Sequence, residues 1–430
     1  MNFKTLLLGA AAAMIMAGGA QAADLTVAEP VDYVKVCDAF GTGFFYSPGT
    51  DTCIKVGGYV KFGTSFGDRG GDKALVGSFN PDYSNSNWGN FYTEASIQLT
   101  ASSVTEYGNL TGWIDYRAKT GNVRGSGDVN DYINASTNSA YVDSAYLELG
   151  PLKAGYFTSL FDFGRGYDDT GMFGSDSTTD HIQLTYAVNG FGLAVSVEDQ
   201  RDRSSFGQAS GTLDGNPISP TNPAYYGGQD NVPDIVGAVT YASGIFSAKV
   251  AGAWTHQAVS ITPSGIPNTF DVDAKDGWAV GGGLEVALDK FSAGDRFFVS
   301  AAYGDNANSY TGIAGGTSVA GFIGPIRNYN AAASTGSSWS ALASYKHVWT
   351  PQLWSSLSGG YAQFSGKDEL DGTTVDAWRA GFNTTYTPVK GLDVVGDVFY
   401  TDVKLKNDNP TIADESGNGW TFNLFLKRSW

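Results

Sequence analysis

Three histidines, His181, His256 and His347, stand far apart in a chain of 430 residues. None has a partner at a ligand spacing such as His-x-x-x-His, and histidines so scattered give a nucleophile no base. No metal, cofactor or catalytic residue is therefore expected, and no enzyme. The residues that can still do chemistry act through charge. Asp162, Arg165, Asp168, Asp169 and Asp176 fall in one stretch, Leu160–Asp176, which also carries Phe161, Phe163, Met172 and Phe173 and is unusually apolar for a connection. Lys61, Arg117, Lys119 and Lys153 offer the opposite sign. Set across water from each other, the two groups would make a transverse field that orients dipolar solutes and repels apolar ones.

The elements that must hold these charges read as strands. Apolar residues alternate over sixteen stretches: 54–62, 93–101, 110–118, 141–149, 152–156, 182–188, 191–197, 235–241, 246–254, 278–288, 297–303, 339–345, 353–361, 378–386, 392–400 and 420–430. The charges take the other parity. Lys55, Lys61, Arg117, Lys119, Lys153, Lys249, Arg296, Lys346, Arg379 and Lys427 do so, as do Glu94, Asp115, Glu148, Glu198, Glu285, Asp393 and Asp397. Asp143 and Arg428 break the rule near strand ends. A basic side chain facing lipid at the midplane costs roughly 2–4 kcal/mol, which accounts for the sorting. Glu106-Tyr107, Gly150-Pro151, Asn189-Gly190, Ser243-Gly244 and Thr350-Pro351 mark short turns. They alternate with long polar connections at about 67–90, 120–138, 159–178, 200–232, 257–275 and 305–336. The expected fold is all-β: a transmembrane antiparallel β-barrel of 16 strands, with 18 as the alternative, because an open sheet edge cannot persist in hydrocarbon. The last strand ends on Trp430, resembling the aromatic C-terminal signature by which assembly machinery recognises outer-membrane barrels.

The rest of the chain fixes the compartment. Lys4, an apolar run Leu6–Ala17 and Ala20-Gln21-Ala22 make residues 1–22 an expected signal peptide, since the run is too short to span a bilayer as a helix. Cys37 and Cys53 then reach an oxidising compartment and are expected to pair across a hairpin. Residues 23–53 form an expected N-terminal periplasmic segment, and 54–430 the barrel. With 43 acidic against 26 basic residues the chain lacks the basic face that nucleic acid requires. The acidic loops favour cations.

Glu29–Asp38, Phe44–Thr50, Cys53–Val60 and Leu147–Tyr156 resemble the start and one hairpin of the alphaproteobacterial general porins, the rhizobial and Brucella type. The resemblance implies a 16-stranded homotrimer in the outer membrane, with lipid around it and ions and small hydrophilic solutes diffusing through a water-filled channel. It also implies that the third outer loop, about 159–178, folds inward to narrow the pore. A substrate-specific channel of the sugar type and a non-conducting adhesin or receptor barrel are the alternatives.

Overall fold

A computed structural model of the chain describes residues 36–71, 90–120, 139–169, 171–200, 203, 207–213, 216–218, 224–227, 232–263, 270–312, 326–327, 336–367, 371–408 and 414–430. The expected signal peptide lies outside the described residues. Sixteen long strands follow one another: β1 (Cys53–Gly71), β2 (Asn90–Thr105), β3 (Gly108–Thr120), β4 (Ser139–Leu149), β5 (Leu152–Thr158), β6 (Thr178–Val188), β7 (Phe191–Glu198) and β8 (Asp234–Ala242). The second half gives β9 (Phe246–Pro263), β10 (Phe270–Ala287), β11 (Arg296–Asp305), β12 (Gly336–Thr350), β13 (Leu353–Gly366), β14 (Thr373–Val389), β15 (Leu392–Asn407) and β16 (Glu415–Ser429). Each pairs antiparallel with its neighbours in the chain. The sheet closes where Tyr59–Gly71 of β1 pairs with Ser429–Gly417 of β16. The count is sixteen, not eighteen.

The alternation read from the sequence is the alternation of the wall. On β7, Leu193 and Val195 are 49% and 47% exposed, whereas Ser196 and Glu198 on the other parity are 1% and 0% exposed. An apolar belt so exposed suits a surface in contact with lipid rather than water. Asp143, which sits on the lipid parity, is explained by a β-bulge. Asp115 pairs with Ser144 and Tyr116 with Val142, so Asp143 is the extra residue. The bulge lets its carboxylate reach the inward Arg117 at 2.8 Å. Arg428 lies at the short-turn end, where it donates to the Gly391 carbonyl at 3.2 Å.

The short turns fall between strands at 106–107, 150–151, 189–190, 243–245 and 351–352. One outer connection differs from expectation. The fifth shrinks to 264–269, because β9 and β10 continue to pair past Gln257, through a bulge, to Ile261↔Phe270. Extra backbone hydrogen bonds there replace loop. A small outer ribbon (207–213, 216–218, 224–227 and 326–327) pairs onto the end of β9. At the opposite end, Phe45–Tyr46 pairs with the start of β1, and the Cys37–Cys53 disulfide closes the hairpin around buried Phe44.

Candidate pore constriction

The inner wall has two unlike halves. From β8 to β14 small residues line much of it, between larger inward side chains such as Lys249, Glu285, Phe298, Leu342 and Arg379. Val236, Ala238, Ala251, Ala253 and Ala279 turn inward and are buried, though water in a pore would leave them wet. They are covered by Leu160 and Phe161 of the third outer connection, 159–177. Gly281 and Gly283 of β10 make room for its rings: a Cβ at Gly281 would lie 3.0 Å from the Phe161 ring, and one at Gly283 2.2 Å from the Phe163 ring. Gly360 of β13 and Gly381 of β14 do the same for Met172 and Phe173 or Asp168. Phe163 stacks on Phe298 of β11 at 5.5 Å. Buried Met172 packs with Phe298 and Leu342.

Polar bonds fix this connection along the same wall. The Tyr167 N–H donates to Ser344 Oγ at 3.2 Å, and its hydroxyl to Glu285 at 2.9 Å. Ser356 donates to Asp168. Arg379 of β14 donates to the Gly171 carbonyl at 3.1 Å and to Thr401 at 3.1 Å. The far end reaches β1, where Asp169 and Lys61 form an ion pair at 3.3 Å. At the root, the Ser159 N–H donates to the Ser177 carbonyl at 2.9 Å, joining the two ends of the connection.

The other half of the wall, β1 to β5, carries large charged and aromatic side chains. Arg117 Nη2 lies 2.8 Å from Asp115 and 2.8 Å from Asp143. Tyr59 donates to Glu94. The lysines lie on rings: Lys61 Nζ is 3.8 Å from the Phe425 centroid, Lys119 4.6 Å from Tyr92, Lys153 3.7 Å from Tyr146 and 4.2 Å from Phe157. The ring faces attract the ammonium groups and hold the long stems flat, so the cations stay at the wall rather than across the lumen.

The sequence-identified acids fall into three environments. Asp169 and Asp176 are exposed on the face of the connection, beside a cavity of about 370 Å³ that Arg165 also lines. Asp168 does not project into the lumen. It is buried against Ser356, and that burial pushes its carboxyl above the usual carboxylate range against the pull of the Ser356 and Ser358 hydrogen bonds. Asp162 is drawn to the root, where it accepts from Ser175 and from the Ser177 N–H at 2.5 Å. Burial raises its carboxyl too, outweighing the nearby Arg203. The face of the connection is also not uniformly acidic, because Arg165 pairs with Asp176 within it. Opposite charges therefore stand side by side, Lys61 with Asp169, Arg117 with Asp115 and Asp143, and Arg165 with Asp176, rather than on one acidic and one basic surface. Sequence reasoning missed the inward glycines and Arg203. The glycines left a signal: Gly281, Gly283, Gly360 and Gly381 all sit on the parity of the inward charges.

A family model described as the porin subfamily matches residues 24–423. Porin Omp2b of Brucella neotomae is 29% identical over 442 aligned positions that cover both chains completely. Porin Omp2b of Brucella canis is 35% identical over 60% of this chain and 67% of its own length. A putative outer membrane protein of Sinorhizobium fredii, y4fJ, is 39% identical over 46% of this chain and 55% of its own. Among solved structures, the outer membrane channel DcaP of Acinetobacter baumannii superposes with a TM-score of 0.54 at 17% identity, over 90% of this chain and 99% of that one, a likeness of fold.

Proposed function

The chain belongs to the porin subfamily and is an outer-membrane channel, and from that premise we infer that its passage is governed by the third outer connection facing the β1–β5 wall. Ions and small hydrophilic solutes diffuse between the two without any bond being made or broken. The observation that carries this reading is the ion pair Lys61–Asp169, which joins a connection rooted between β5 and β6, and packed on the β8–β14 wall, to β1. Asp169, Asp176 and Arg165 supply the charges on the loop side, and Arg117, Lys119 and Lys153 those on the wall. Asp162 and Asp168 serve to hold the loop. The working unit is a homotrimer in outer-membrane lipid, and assembly machinery reads the strand that ends at Trp430. No catalysis enters the cycle.

Reversal potentials across planar bilayers under a salt gradient test the reading. Replacing both exposed acids, Asp169→Asn and Asp176→Asn, shifts selectivity towards anions. Lys119→Ala with Lys153→Ala shifts it towards cations. Asp168→Asn alone has a smaller effect than the exposed pair. Unchanged potentials in the first two variants would remove these residues from the pore. A channel without conductance would favour the adhesin or receptor alternative, and saturable transport of one solute would favour the substrate-specific one.

A further inference from the structure

The inward connection is fastened at its root by a residue of another loop. Arg203 lies in the fourth outer connection, between β7 and β8, and its side chain is 1% exposed. Its guanidinium is 3.6 Å from Asp162 of the third connection and 3.7 Å from Glu198 at the end of β7. It donates to Ser159, to Ser175 at 3.0 Å and to Ser177 at 3.2 Å, which are the two ends of the inward connection. It also lies over the Tyr310 ring, 3.9 Å from the centroid, in the 3-10 turn Asn308–Thr311 of the sixth outer connection. Tyr310 donates to Asp234 at the start of β8 at 2.6 Å. Glu198 in turn accepts from the Leu160 N–H at 2.9 Å and from Ser159 at 2.7 Å. One buried cation thus gathers the third, fourth and sixth outer connections.

The charges explain why a guanidinium stands there. Asp162, Glu198 and Asp234 would otherwise meet in a site closed to water, where like charges cannot all remain ionised. A planar guanidinium offers five donors in a fixed fork and can lie flat on a ring, whereas an ammonium is a compact point charge with three. We propose that Arg203 is a positioning residue of the channel: it holds the root of the 159–177 connection, so the shape of the constriction depends on the fourth outer connection as well as on the third. The proposal rests on the reading of 159–177 as the constriction. The tip of that segment has its own anchors, at Lys61, Ser356 and Arg379. Release of the root alone therefore makes the open pore flicker rather than shut.

Full-length protein in planar bilayers provides the test. Arg203→Gln raises the variance of the open-channel current several-fold and lowers the voltage at which the channel closes. Arg203→Lys restores part of the quiet state, since it keeps the charge without the fork. The excess noise of Arg203→Gln shrinks as pH falls, because protonation of the acids removes the repulsion that the missing cation exposes. A general loss of stability would increase it. The titratable groups facing this site are Asp162 and nearby Asp176 on the third connection, Glu198 on β7, Asp234 on β8 and Tyr310 on the sixth connection. Lys249 of β9 donates to the Asp162 carbonyl at 2.7 Å, and His181 of β6 pairs in register with Glu198. An Arg203→Gln channel with native noise and closing voltage overturns the proposal. If that variant does not assemble, Asp162→Asn decides: it too must be noisier than the parent, and a native current overturns the proposal. A shift in reversal potential from Asp169→Asn and Asp176→Asn beside a silent Arg203→Gln would sink this inference alone. Silence from all three would sink the constriction reading as well.

Discussion

Gly283 carries a large consequence in a residue without a side chain. Its missing Cβ is the space that the Phe163 ring occupies, and with it the Phe163–Phe298 stack. Gly283→Val should cost about 1–3 kcal/mol through overpacking, by displacing the ring or moving the strand. Conductance measured beside the unfolding midpoint will show a changed channel, and a native current would mean that the ring does not need this space. Arg117 shows the opposite economy. Two carboxylates, Asp115 and Asp143, share one guanidinium. One of them sits on the lipid parity in the sequence and turns inward only because the strand is bulged. No alternation pattern announces a bulge, since it is a one-residue slip between two strands that the pattern treats separately.

At the scale of elements, the strands were legible and their outer ends were not. Each stretch read from alternation corresponds to one strand in the same order, because every second residue faces lipid and is selected singly for that solvent. The strands run on past the membrane wherever pairing continues, as in β9 and β10, and there no lipid enforces a pattern. The turn between β10 and β11 shows how one end is fixed. Asp295 accepts from the Tyr345 hydroxyl at 2.6 Å and from the Val348 N–H at 2.8 Å, and lies 2.9 Å from His347. Burial alone would raise its carboxyl, but these bonds from β12 prevail and hold it below the usual range. A depressed carboxylate stabilises the fold above its unfolded pKa, and that stability is lost as pH falls through the folded value. Asp295→Asn should therefore cost about 1–3 kcal/mol at neutral pH. In denaturant titrations at neutral and strongly acidic pH, the difference between parent and variant should disappear in acid. A difference that persists there would refute the assignment.

For the whole molecule, the lipid face and the wet face are a single surface closed on itself. Val250, at the middle of the alternating stretch 246–254 of β9 and 61% exposed, belongs to the lipid belt, whereas its neighbour Lys249 turns inward to the Asp162 carbonyl. Val250→Arg should destabilise the barrel by about 2–4 kcal/mol, falling towards zero for the same change at a strand end. Unfolding in lipid vesicles measures this, and an unshifted midpoint would place Val250 away from lipid. The outward and inward sets, the strand order and the turns follow from the sequence by itself, because each depends on what one residue or its near neighbours can tolerate in lipid or water. Tertiary structure alone decided that Asp168 is buried on Ser356, that Asp169 meets Lys61, and that Arg203 holds Asp162. Those contacts join residues distant in the chain, and only a closed cylinder of fixed register brings a loop's rings opposite the glycines of the wall.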